Sequence, residues 1–257
     1  MKPYITILER QIPIYGIFFY TGILIAATAA LLICRRKKVA WYDVAYSAVY
    51  VMIGAILGAK LLFLAVSFRQ IITEHIPFTA VLKGGFVFYG GLLGGVLGLL
   101  IYIKQFRMRM NELCEIYAIV LPLGHAFGRV GCFFAGCCYG IPYDGRLSYT
   151  YHYSIGNTPT NTPLLPIQLI EAMGLLLIFA ILLIVYLKNR EKADGTIVLL
   201  YLILYPILRF ILEFFRGDME RGKYGWFSTS QWVSLALFCG VIIYLVFKKA
   251  IGRKKQA

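Results

Sequence analysis

Seven stretches of about 20 apolar residues recur along this chain, each long enough to cross the roughly 30 Å hydrocarbon core of a bilayer as an α-helix. They run over about 14–33, 43–66, 85–103, 112–134, 167–187, 195–215 and 230–247. Inside lipid the backbone must satisfy its own hydrogen bonds, so such stretches fold as helices. The pattern predicts an all-α polytopic integral membrane protein, a single membrane domain over residues 1–257 with seven transmembrane helices. Composition agrees: 60% of residues are hydrophobic and only 15% charged, and the mean hydropathy is +0.74, a balance rare in water-soluble domains. The first stretch reads as a retained helix, because Glu9, Arg10 and Pro13 precede it and no small-residue cleavage site follows a basic start. The fourth contains Pro122, Gly124, His125, Gly128 and Arg129 and is expected to break partway across the bilayer.

The formal charge is +14, which in a soluble protein would suggest nucleic acid. Here the basic residues form short runs between apolar stretches, and no segment outside them is long enough to carry a folded basic face, which argues against a nucleic-acid partner. Arg35 to Lys38, then Lys104, Arg107 and Arg109, then Lys188, Arg190 and Lys192, and finally Lys248, Lys249, Arg253, Lys254 and Lys255 all fall on one side of the membrane. Lys2, Arg10, Arg69, Lys83, Arg146, Arg216, Arg221 and Lys223 fall on the other. Lys and Arg near helix ends stay preferentially in the cytoplasm, so the N-terminus is expected outside and the C-terminus inside. The basic runs also suit contact with anionic membrane lipids. Two extracytoplasmic loops, about 139–166 and 216–229, are long enough for structure of their own. Glycines at 54, 58, 84, 85, 90, 91, 94, 95 and 98 have the small-residue spacing that lets membrane helices approach closely.

A charged side chain at bilayer depth costs about 2.5–3.5 kcal/mol on insertion scales, so each one needs a partner, a polar cavity or a function. Lys60, Arg129, Arg209 and Glu213 are the candidates. Arg209 and Glu213 are four residues apart and share a helix face; they form either a structural ion pair or an acid that orients an arginine toward an anionic ligand. Arg129 stands among Gly128, Gly131, Gly136 and Gly140, where a guanidinium fork and free backbone N–H groups suit a phosphate. The alternative is an arginine that snorkels outward.

Of the six cysteines, Cys132, Cys137 and Cys138 fall within seven residues. Together with His125 they offer soft ligands for a metal; a disulfide through Cys137 or Cys138 and plain apolar packing are the other readings.

The order of these features resembles the prolipoprotein diacylglyceryl transferases, seven-helix bacterial membrane enzymes. The likeness is carried by YGIFFYTG at 15–22, GAILGAKLLF at 54–63, FYGGLLGG at 88–95, GRVGCFFAG at 128–136, PIQLIEA at 166–172, LRFILEFFRGD at 208–218 and SQWVSL at 230–235. The resemblance implies a multi-pass protein of the bacterial cell membrane. It implies transfer of a diacylglyceryl group from phosphatidylglycerol to the lipobox cysteine of a preprolipoprotein, with release of glycerol phosphate. By position, Arg129, with Gly128 and Gly131, corresponds to the lipid-binding GRxG motif, Arg209 and Glu213 to the helix-six pair, and Tyr15 to the family's helix-one tyrosine. The family pattern G-R-x-G-N-F-x-N-x-E has Cys132, Ala135 and Cys137 here at its Asn, Asn and Glu positions, and Tyr89 stands where the family has a histidine. Proton handling then falls to Tyr89, His125 or Glu213. This reading takes no cofactor and no metal; its alternative is a thiol-handling, metal-handling or anion-transport role at Cys132, Cys137, Cys138 and His125.

Overall fold

A computed structural model describes residues 3–7, 10–74, 77, 79, 84–156, 158–188, 193–218 and 222–254. Among them are seven helices long and apolar enough to span a membrane. A hairpin, β1 (Tyr4–Ile7) with β2 (Arg10–Pro13), leads into α1 (Ile14–Lys37). Next come α2 (Trp41–Thr73), α3 (Phe88–Gln105) and α4 (Met110–Ala135). A second hairpin, β3 (Tyr149–Thr150) with β4 (Pro163–Leu164), precedes α5 (Ile167–Lys188). After α6 (Thr196–Glu213), the ribbon of β5 (Lys223–Tyr224) and β6 (Phe227–Ser228) leads to α7 (Thr229–Lys254).

The largest departure in length is α2, whose 33 residues run past the expected apolar stretch because VSFRQIIT contains neither Gly nor Pro to stop it. The expected break in the fourth span does not occur: α4 continues through Pro122 to Ala135. Proline removes one helical hydrogen bond, a loss membrane helices tolerate when neighbouring helices pack against the site. Here Gly22 of α1 packs against Phe127 and the carbonyl of Gly124, and Gly124 faces Ala26. The glycines of α4 therefore serve close contact with α1 instead of a helix break.

The chain forms two compact units, Met1–Leu32 with Cys114–Ala257, and Ile33–Leu113. The second consists chiefly of α2 and α3, which cross on glycines. A Cβ on Gly54 would strike the Gly94 carbonyl, one on Gly58 the Gly90 carbonyl, and one on Gly98 the Tyr50 carbonyl. With no hydrophobic drive between helices in lipid, such backbone proximity and its dispersion contacts hold the pair together. Toward one end Tyr102 donates a hydrogen bond to Asp43 Oδ1 at 2.9 Å, and Tyr50 and Phe106 pack on its ring.

In the first unit, Ala126, Ala172 and Leu175 are buried against Val130, Tyr205 and Leu208, joining α4, α5 and α6. A second cluster buries Phe133, Tyr151 and Leu164 against Tyr139 and Leu169, seating the β3–β4 loop on the end of α4. The start of α6 is held by Glu115, fully buried, whose Oε1 accepts the Gly195 N–H at 3.0 Å, a carboxylate at the positive end of a helix dipole. The start of α7 is a capping box: Ser228 Oγ accepts the Gln231 N–H at 3.2 Å, and Gln231 Oε1 accepts the Ser228 N–H at 3.0 Å.

Replacing Gly94 with Leu forces α2 and α3 apart. The expected outcome is destabilisation of detergent-purified protein by on the order of 1–3 kcal/mol, the usual cost of overpacking, read as a lower thermal midpoint, whereas Gly16→Leu, which meets open space, leaves the midpoint near wild type.

Candidate active site

The charged residues of the first unit converge on one carboxylate. Glu171 lies in the second turn of α5, its side chain 2% exposed. Its Oε1 is 3.0 Å from Arg129 of α4. Its Oε2 is 3.7 Å from Arg209 of α6 and 3.9 Å from Arg216, just beyond the same helix. Glu213, one turn after Arg209, closes on that guanidinium at 2.7 Å. Asp218 holds Arg216 in a two-pronged bond, Nε to Oδ1 and Nη2 to Oδ2, both 3.0 Å. Three guanidiniums thus face three carboxylates, and this formal neutrality is what allows six ionised groups to be buried together.

Helix geometry accounts for the convergence. Arg209 and Glu213 are four apart on α6, and His125 and Arg129 four apart on α4, so each pair shares a face. The His125 ring lies 5.8 Å from that of Tyr205 on α6, on the side of α4 that carries Arg129. Arg209 Nη2 also donates to Ser230 Oγ at 3.3 Å, in the first turn of α7. Arg216 is carried inward by the backbone. Ile141 N–H bonds to the Phe215 carbonyl at 3.0 Å and Gly217 N–H to the Tyr139 carbonyl at 2.9 Å, so residues 139–141 and 215–217 run side by side. A Cβ at Gly140 would strike the Leu165 carbonyl, so this crossing requires glycine.

Hydrogen bonding leaves part of the donor set unsatisfied. Arg129 Nε is buried without a hydrogen-bond partner among the described residues, and so are Arg209 Nη1 and Arg216 Nη1, whose approaches to Glu171 Oε2 at 3.7 and 3.9 Å are ion pairs longer than a hydrogen bond. Three buried N–H donors around one carboxylate make a site that an added anion with several oxygens can enter. Between α6 and α7, an apolar crevice of about 170 Å³ lined by Pro206, Phe210, Ile211, Leu235 and Phe238 opens beside the Arg209 turn.

The C-terminal end of α4 turns back on itself. Gly136 (φ +66°) and Cys138 (φ +56°) are left-handed; for a residue with a side chain this conformation costs roughly 1–2 kcal/mol. Gln168 donates to the Cys137 carbonyl at 2.8 Å and Thr158 to the Gly136 carbonyl, which fixes the turn. The thiols of Cys132, Cys137 and Cys138 come together there, and none of the six cysteines is in a disulfide among the described residues. Hydrogen bonds from Cys132 and Cys137, and then the positive charges of Arg216 and Arg129, hold the Cys138 thiol below the ordinary thiol range.

Of the residues singled out from sequence, Arg129, Arg209, Glu213 and His125 come together around Glu171. Tyr15 packs on Gly131, while Gly128 faces open space beside Arg129. Lys60 and Tyr89 belong to the second unit: Lys60 donates to the Gly84 carbonyl and lies over the rings of Phe63 and Phe86, and the Tyr89 ring is edge-on to Phe88 at the start of α3. Arg216, counted from sequence among the outer loop charges, is instead 2% exposed and ion-paired, because the 139–141 crossing draws it in. Glu171 and Asp218 were not anticipated. The signal for Glu171 was a lone acid in the apolar run IQLIEAMGLLLIF.

Fold and site together define a polytopic membrane protein built around a buried arginine–carboxylate network. A family model described as prolipoprotein diacylglyceryl transferase matches residues 3–247, and the chain belongs to that family. The chain is 34% identical to the phosphatidylglycerol–prolipoprotein diacylglyceryl transferase of Clostridium tetani (strain Massachusetts / E88), over 90% of this chain and 91% of that one. It is 31% identical to phosphatidylglycerol–prolipoprotein diacylglyceryl transferase 2 of Clostridium perfringens (strain 13 / Type A), over 94% and 93%.

Removing the shared carboxylate leaves three buried guanidiniums with one partner fewer. Glu171→Ala is therefore expected to destabilise the purified protein by about 3–5 kcal/mol. The half-exposed Arg109–Glu112 pair serves as the control, Glu112→Ala costing under about 1 kcal/mol; equal effects of the two in chemical denaturation would count against the network.

Proposed function

We propose that this protein transfers the diacylglyceryl group of phosphatidylglycerol to the lipobox cysteine thiol of a preprolipoprotein, in the bacterial cell membrane, with its N-terminus outside. One observation carries this reading: Arg129 and Arg209 lie 3.0 and 3.7 Å from the two oxygens of a single buried carboxylate, each with a buried nitrogen that has no hydrogen-bond partner among the described residues. A phosphodiester has the oxygens to take those donors.

In the reaction the thiol sulfur attacks the glyceryl carbon next to the phosphate oxygen. The C–S bond forms, the C–O bond breaks, and the electron pair leaves with glycerol phosphate. Negative charge grows on the departing oxygen, so preorganised guanidiniums in a water-poor site lower the barrier. Arg129 grips the phosphate and Arg209, aimed by Glu213, stabilises the leaving oxygen. Gly128 keeps the Arg129 turn open to the headgroup, and Gly131 lets Tyr15 of α1 lie close beside it. The crevice next to Phe210 takes the start of an acyl chain. His125, on the same face as Arg129, is a group able to handle a proton during transfer.

Arg129→Ala is expected to lower transfer by about 10²–10³-fold or more while the protein still inserts and elutes as a single species. Arg129→Lys keeps the charge, loses the fork and falls between. The measurement is transfer of labelled lipid from phosphatidylglycerol vesicles to a lipobox peptide; wild-type rates in Arg129→Ala would reject the assignment.

A further inference from the structure

The three thiols at the end of α4 make none of the ion pairs of the charge network but lie beside it. The Sγ atoms of Cys132, Cys137 and Cys138 all lie within 4.8 Å of one another. Their meeting follows from the backbone: Gly136 and the left-handed Cys138 fold the chain over the last turn of α4, setting Cys137 Sγ 3.7 Å from the Cys132 carbonyl. The fold is held from outside by Gln168, Thr158 and the Ile155 N–H on the Ala135 carbonyl at 3.0 Å. Left-handed backbone at a residue with a side chain persists only where its surroundings enforce it, and such positions gather at functional sites.

Three thiolates about 2.3 Å from a zinc ion stand roughly 3.8–4.0 Å apart. Closing this cluster therefore needs side-chain adjustments of under about 1 Å. An all-sulfur donor set selects soft cations over magnesium or calcium. Three thiolates on a divalent ion carry a net negative charge, and Arg129 and Arg216 are the cations that act on these sulfurs. Three protein ligands also leave the fourth tetrahedral position open, as in metal sites that bind a reactant.

We propose that Cys132, Cys137 and Cys138 form a three-thiolate site for a thiophilic divalent cation of the zinc class, whose open position takes the sulfur of the incoming acceptor thiol. Its role rests on the transferase reading above. A thiol that coordinates such an ion gives up its proton to water. The resulting thiolate forms the C–S bond, the phosphate takes the electron pair of the broken C–O bond, and the thioether product leaves the ion. The resemblance places an Asn and a Glu at positions 132 and 137; here the ligands themselves occupy those places.

The test uses the full chain, purified in detergent under reductant. Cadmium serves as the optical probe through its thiolate charge-transfer band, and zinc affinity is read by competition with a chromophoric chelator. One equivalent per chain is expected, with at least tenfold weaker binding in Cys132→Ser and Cys138→Ser and no change in the exposed-site control Cys239→Ser. Should the serine variants fail to fold, differential alkylation of the wild type replaces them, and bound zinc protects these three thiols. Absence of stoichiometric binding, or undiminished binding in the triple serine variant, overturns the site. Stripping the metal is expected to slow transfer at least tenfold, with recovery on adding zinc. Full transfer by metal-free protein overturns the role and leaves the transferase reading standing; one equivalent bound with no transfer at all supports the site and rejects that reading.

Discussion

The buried carboxylate of Glu171 is the constraint on which the charged end of the first unit depends. Isolated guanidiniums cannot be placed in a low-dielectric interior, and α4, α6 and the segment after α6 each bring one. A single acid on α5 gives all three a common counter-charge, with Glu213 and Asp218 completing the balance. Because desolvation and attraction nearly cancel in such a cluster, its value lies less in stability than in geometry. The helices reach a neutral arrangement when Arg129 and Arg209 point at the same carboxylate, which is also the arrangement that leaves N–H groups without a hydrogen bond of their own where an anionic headgroup would rest.

Around this charge centre the apolar packing is conventional for a membrane protein, and the specificity comes from a few backbone features. The crossing of residues 139–141 with 215–217 turns Arg216 inward. The left-handed turn at Gly136 and Cys138 gathers three thiols beside Arg129. The capping box at Ser228 and Gln231 starts α7 where Ser230 can receive Arg209. Each of these uses short-range hydrogen bonds to aim a side chain that the helix alone would leave pointing elsewhere.

Much of this was legible in advance for a simple reason. Hydrophobic length is a one-dimensional property, so seven spans follow from the residue order with only their ends in error, and Pro122 mattered less than expected because packing against α1 offset it. The pairing of Arg209 with Glu213 was equally accessible, since a four-residue spacing on a helix is local. The resemblance implies roles for Arg129 and for the Arg209–Glu213 pair but not their shared counter-ion, and Glu171, which joins them, is hard to single out because an acid close to a helix start looks like an ordinary terminal charge. The burial of Arg216 escapes the sequence for the converse reason: it stands in the segment after α6 as its residue type suggests, and only a backbone crossing about 75 positions distant along the chain shows that its side chain is buried.

By itself the amino-acid order determined the membrane class, the seven membrane-length helices found among the described residues, the glycine faces on which α2 and α3 cross and the local charge pair of α6. What only the tertiary structure decided is which charges share a counter-ion, which thiols meet and which residues belong to separate compact units. Insertion of an apolar stretch and contact along one helix depend on composition and spacing within about 20 residues. The meeting of α4, α5 and α6 at one carboxylate depends instead on helix rotation and loop path, which the energy of the whole assembly selects.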